Sequence, residues 1–143
     1  MYGNLNTMKA FEINFLDHVA IRVKDLELSA QWYEKVLGLT RLNKPEWGNF
    51  PVVMSCGNSG VAIFPANLTD PEINKQSKNT GISHFALNVS NEDFKKAQEH
   101  YNSLCIEFEF QDHFYFHSIY TKDPDGHIVE LTTMVVDETI FYK

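Results

Sequence analysis

Residues 16–39 read "LDHVAIRVKDLELSAQWYEKVLGL", and residues 82–104 read "ISHFALNVSNEDFKKAQEHYNSL". The two stretches share one plan: a strand with a histidine at its third place, a polar break, then an amphipathic helix. In the first, Leu26, Ala30, Tyr33 and Leu37 recur at helical spacing, and Gly38 stands where a left-handed cap would end the helix. In the second, Phe94, Ala97, Tyr101 and Leu104 recur likewise, and Ser90 with Asp93 is placed like a capping box. Three strand-like runs follow each helix: Leu39–Asn43, Phe50–Cys56 and Gly60–Pro65 in the first half, Ile106–Phe110, Phe116–Lys122 and His127–Thr133 in the second. The repeat predicts an α+β fold of two tandem βαβββ modules, over 16–68 and 82–134, pairing into a metal-holding cup. A polar linker over 69–81 joins them, a leader over 1–15 precedes them and a tail over 135–143 follows, so that 16–134 forms one domain.

The offset between the halves is 66 residues from His18 to His84. The same offset carries Gly126 back to Gly60 and Glu130 back to Phe64. One ungapped register is therefore expected to align both the opening and the closing strands, with Phe64 as the counterpart of Glu130.

Side chains alternate across a strand, so parity assigns faces. Val19, Ile21 and Val23 form an apolar face for the first helix to cover, and Phe85, Leu87 and Val89 do the same in the repeat. His18 and His84 fall on the opposite face, beside the small Ala20 and Ala86. In the last strand Val129 and Leu131 take the core side and leave Glu130 with the histidines. An acidic residue within a strand is costly if buried without a partner. Two imidazoles and one carboxylate on one surface make a set that can hold a divalent ion and leave coordination positions open. His18, His84 and Glu130 are the expected ligands. His100, His113, His117 and His127 are assigned surface or packing roles.

Composition limits the remaining choices. At 143 residues and a net charge of −7 the chain suits a single domain and lacks the basic balance of a nucleic-acid binder. No apolar run is long enough to span a membrane, and the stretch "MYGNLNTMKAFEINF" has no apolar signal core, so a cytoplasmic location is expected. Cys56 and Cys105 are too few for a disulfide framework and are read as free buried thiols.

With "LDHVAIRVKDLELSAQWYEKVLGL", "GISHFALNV" and "YTKDPDGHIVEL" in view, the sequence resembles the vicinal-oxygen-chelate superfamily, which includes glyoxalase I, extradiol dioxygenases, bleomycin-resistance proteins and fosfomycin-modifying thiol transferases. The resemblance spans roughly Leu16 to Met134. It implies paired βαβββ modules, His18, His84 and Glu130 as ligands, and a mononuclear divalent metal (Fe, Mn, Ni, Co or Zn) chelated by a small oxygenated substrate. It also implies a catalytic role for Tyr120 beside Glu130, with the phenol bonding a substrate oxygen. Glyoxalase I usually adds a glutamate in the first module's closing strand, and "GVAIFPAN" has no acid there. The expectation is a metal-dependent lyase or dioxygenase. A drug-sequestering protein of the bleomycin-resistance type and a fosfomycin-type thiol transferase are the alternatives. A small-molecule substrate and a homodimer are expected, with neither nucleic acid nor membrane as partner. Whether the cup closes within one chain or by exchange between chains is open at this level.

Overall fold

The computed structural model describes residues 9–142. The first module comprises β1 (His18–Val23), α1 (Leu26–Leu37), β2 (Thr40–Leu42), a 3-10 turn at Pro45–Trp47, β3 (Val52–Cys56) and β4 (Ser59–Pro65). The second comprises β5 (Phe85–Asn88), α2 (Asn91–Ser103), β6 (Glu109–Asp112), β7 (Phe116–Lys122) and β8 (Ile128–Met134), and a short α3 (Glu138–Tyr142) follows. Each module builds a four-stranded mixed sheet, in the orders β1-β4-β3-β2 and β5-β8-β7-β6. In both, the opening strand pairs in parallel with the closing one and the remaining pairs are antiparallel.

The helix ends follow from local chemistry. Asp25 caps α1 by accepting from the Leu28 amide, and Gly38, at φ 66°, ends it in the left-handed region. Ser90 caps α2 by accepting from the Asp93 amide. Burial follows the expected parity: Ile21 and Val23 pack under α1 with Tyr33, Val61 and Ile63, while Ile119 and Leu131 pack under α2 with Phe94 and Tyr101. Val129 of the second sheet belongs to the first cluster, and Trp32 and Leu37 of α1 touch both. The two modules thus join core to core.

The turn Asp123–His127 clasps them. Asp123 is buried and accepts from the Tyr33 hydroxyl at 2.8 Å and from the Asp125 and His127 amides at 3.0 and 2.8 Å. Asp125 accepts from the Lys24 amide and from Ser29 Oγ, and His127 Nε2 donates to the Arg22 carbonyl at 2.9 Å. On the far side, His100 Nε2 donates to the Lys35 carbonyl at 2.8 Å and ties α2 to α1. Burial, then the charge of Asp123, raises the Tyr33 phenol far above its ordinary value, so it remains a donor.

The single 66-residue register does not hold. Val19 pairs with Val61, but Phe85 pairs with Val129, so the opening strands stand 66 positions apart and the closing strands 68 (Val61 to Val129). Ala86 faces Glu130 and Ala20 faces Ala62, which makes Ala62, not Phe64, the counterpart of Glu130. Hairpin length supplies one of the two added positions, since Val53 faces Ala62 but Tyr120 faces Glu130, and the other is added between the opening strand and β7. β3 and β4 are joined across residues 57–58, with Gly57 at φ 59°, whereas β7 and β8 are joined across 123–127, with Gly126 at φ 87°. Gly126 is therefore a turn glycine. Gly60 is a strand glycine required because a Cβ there would collide with the Met54 carbonyl. Their match at one offset is coincidence. The thiols also differ from expectation: Cys56 follows the strand into an exposed turn and Cys105 is exposed after α2, so neither is buried.

Tyr33→Phe should destabilise the protein by about 1–3 kcal/mol, because it leaves the buried Asp123 carboxylate short of one donor. Urea denaturation followed by circular dichroism measures it. A variant as stable as wild type would show that the clasp is not held by this bond.

Candidate functional site

The even-numbered side chains of β5, β7 and β8 project from the second sheet on the side away from α2 and line a cavity of about 460 Å³. Glu130 is its centre. Only 4% of this residue is exposed; Oε1 lies 2.9 Å from His84 Nε2, and Oε2 accepts from Ser118 Oγ at 2.5 Å. Ser118 is fully buried and lies 3.2 Å from Thr132 Oγ1, which extends the polar network along the sheet. Glu130 is thus tolerated inside a strand because an imidazole and a hydroxyl meet both of its oxygens.

Tyr120 lies directly across from Glu130 in the β7–β8 pair. Its ring meets His84 edge to face at 5.5 Å, and its hydroxyl is 3.0 Å from His113 Nε2. Burial first, and then the negative charge of Glu130, holds the phenol above its ordinary value, so it stays protonated and able to donate.

His84, Glu130 and Tyr120 therefore come together, and His18 does not join them. His18 opens β1 on the outward face of the other sheet, half-exposed, with Nδ1 2.8 Å from Asp17. Among the described residues no three His, Cys, Asp or Glu side chains gather as a metal site. The pair His84 and Glu130 nevertheless fits two positions around one ion. Two donors each about 2.1 Å from a metal, at roughly right angles, stand about 3 Å apart. Their separation is 2.9 Å, which is equally that of a direct hydrogen-bonded pair.

Three residues carry more of the site than the sequence suggested. His113, assigned to packing, lines the cavity because the hairpin between β6 and β7 folds over it. Ser118 holds Glu130 and was passed over; its even parity in β7 and its place two residues before Tyr120 were the available signal. Phe141 of α3 lines the cavity from a segment read only as a tail. Of the aromatic residues between 108 and 116, Phe116 lines the cavity, Phe108 packs inward, and Phe110, Phe114 and Tyr115 are exposed.

Two βαβββ modules packed through their helices, with polar clusters on open sheet faces, define the glyoxalase-like class of fold. The description "Glyoxalase/Bleomycin resistance protein/Dioxygenase superfamily" matches residues 15–131, and the chain belongs to that superfamily. It is 27% identical over 116 residues to the glutathione transferase FosA of Serratia marcescens, covering 81% of this chain and 78% of that one. It is 26% identical over 133 residues to the metallothiol transferase FosB of Lysinibacillus sphaericus, covering 91% and 89%. In three dimensions it resembles a glyoxalase/dioxygenase from Nostoc punctiforme with a TM-score of 0.74 at 19% identity, covering 91% of this chain and 97% of that one. It also resembles the fosfomycin resistance protein FosX of Listeria monocytogenes, with a TM-score of 0.64 at 18% identity, covering 89% and 98%. These two structures share the fold. No described helix is long and apolar enough to cross a membrane.

Replacing Glu130 with Gln should lower the pH at which Tyr120 ionises, because a nearby negative charge no longer opposes the phenolate. Ultraviolet difference titration against a Tyr120→Phe reference checks this. An unchanged titration would separate the two groups electrostatically.

Proposed function

We propose that this face is half of a metal-dependent catalytic site for a small oxygenated substrate, completed by His18 of a second copy. The observation that carries the reading is the buried Glu130 carboxylate set 2.9 Å from His84 at the wall of a ligand-sized cavity. His84 and Glu130 would hold a divalent ion, which as a Lewis acid would polarise a substrate oxygen. Ser118 fixes the carboxylate's orientation, and Tyr120, held by His113, donates a hydrogen bond to the same substrate.

The need for a second copy follows from the topology. β1 and β5 are edge strands of their sheets, and their outward faces at His18, Ala20 and Arg22 and at His84, Ala86 and Asn88 are exposed. The core-to-core packing of the modules points these faces apart. A twofold arrangement laying β1 of one copy beside β5 of another would cover both edges and bring His18 to His84.

Mixed variants test this. His18→Ala and Glu130→Ala proteins should each bind no stoichiometric metal, whereas His100→Ala should bind as wild type does. If the subunits exchange freely, half of the dimers carry both lesions and one intact site, so mixing should restore metal to about a quarter of the sites. Mixing that restores nothing would sink the exchanged arrangement. Full metal binding by Glu130→Ala alone would sink the ligand assignment.

A second reading has its own support: the two curated relatives named above are thiol transferases that align over most of this chain. In that reading the same site would promote attack of a small thiol on the bound substrate. Thiol consumption with a panel of electrophiles, set beside oxygen uptake with a panel of diols, distinguishes the two.

Position 62 bears on the chemistry as well. Alanine there, like phenylalanine at 64, offers no fourth ligand, so we expect little isomerisation of the methylglyoxal–glutathione hemithioacetal. Ala62→Glu should alter metal preference, because it adds an anionic oxygen at the register position of Glu130, and Phe64→Glu should alter it less. Competition between zinc and nickel for each variant, read by mass spectrometry, gives the order. The reverse order would place the side chain at 64, not the one at 62, nearer the ion.

A further inference from the structure

The cavity on the second module is polarised along its length. In the β7–β8 pair Tyr120 faces Glu130, Ser118 faces Thr132, and Phe116 faces Met134. At a rise of about 3.3 Å per residue, Glu130 and Met134 lie about 13 Å apart along the strand. One end offers ionisable and hydrogen-bonding groups; the other offers a phenyl ring and a thioether. The segment after β8 returns to the apolar end. Val135 donates its amide to the Tyr115 carbonyl at 3.0 Å, and the Phe141 ring stands 5.8 Å from Phe116 and 5.6 Å from Tyr115. Phe141 and Tyr142 line the cavity yet remain 42% and 70% exposed, which leaves aromatic surface open to a ligand. This segment lies beyond residue 131, where the superfamily match ends.

We propose that α3 is a specificity-determining cap, and that the site takes a molecule with an oxygen-bearing head and a single-ring aromatic body. The head reaches Glu130 and Tyr120, and the ring rests among Phe116, Met134, Phe141 and Tyr142. Aromatic rings favour edge-to-face or offset neighbours with centroids about 4.5–7 Å apart, the spacing at which the cap's own rings already meet. A ring with a short polar head spans the polarity gradient. A two-carbon oxyacid reaches only the polar end and leaves the apolar end in water. The inference rests on reading this face as a small-molecule site and adds the class of molecule.

Titration calorimetry of the full chain with mandelate and with glycolate tests it, because the two share their adjacent oxygens and differ by a phenyl group. Wild type should bind mandelate about tenfold or more tighter than glycolate. Phe141→Ala/Tyr142→Ala protein should lose most of that preference. No mandelate binding at millimolar concentration, equal binding of the two acids, or a preference undiminished in the double variant would each overturn the cap. A second measurement needs no variant: saturating mandelate should shift the Phe141 and Tyr142 ring resonances of wild type, and unmoved resonances would also overturn it. Metal content of the same wild-type sample separates the failures. A metal-holding protein without the preference overturns the cap alone, and a preference without metal binding overturns the metal reading alone.

Discussion

The molecule depends on a buried carboxylate. Asp123 sits in the hairpin turn of the second module, yet its partner across the interface is the Tyr33 hydroxyl, in the helix of the first. The backbone amides of Asp125 and His127 use its other oxygen, so the turn's conformation and its docking are satisfied together. A buried carboxylate short of donors is costly, which makes this contact specific: sliding one module against the other would strand the charge. Around it, Val129 enters the first core and Trp32 bridges both cores.

That docking has a consequence for chemistry. With the two cores packed together, the sheet faces that carry His18 and His84 are left exposed. Glu130 and His84 meet at the wall of a cavity, and His18 stands exposed on the other sheet. Each half presents an edge strand. Edge strands are the part of a sheet most available for pairing with another chain, and the proposed twofold arrangement would use both of them.

Superfamily membership establishes the fold, and the fold alone does not name a reaction. The relatives span a glutathione transferase, metallothiol transferases and a glyoxalase/dioxygenase. Two segments outside the β-strands border the cavity in this chain: the hairpin that carries His113, and α3. Both are connections or ends, the places where a conserved scaffold leaves side chains free to differ in role.

The sequence by itself determined what depends on local periodicity. Alternation along strands put His84 and Glu130 on one surface and Val129 and Leu131 on the other, because successive Cβ atoms must point to opposite sides, while Tyr120 was legible only through the resemblance. Helical spacing and capping residues located α1 and α2 for equally local reasons. Tertiary structure decided the rest. The counterpart of Glu130 moved from Phe64 to Ala62 because the second module is one residue longer before β7 and one longer in the following hairpin, and a constant sequence offset cannot carry that difference. Ser118, His113 and Phe141 entered the site through contacts across a sheet, over a loop and from a tail, none of which leaves a period in the sequence. The separation of His18 from His84 and Glu130 was settled by which faces of the modules became buried, a choice made by the packing of whole elements and by the hydrogen bonds that clasp the modules, that from Tyr33 to Asp123 among them.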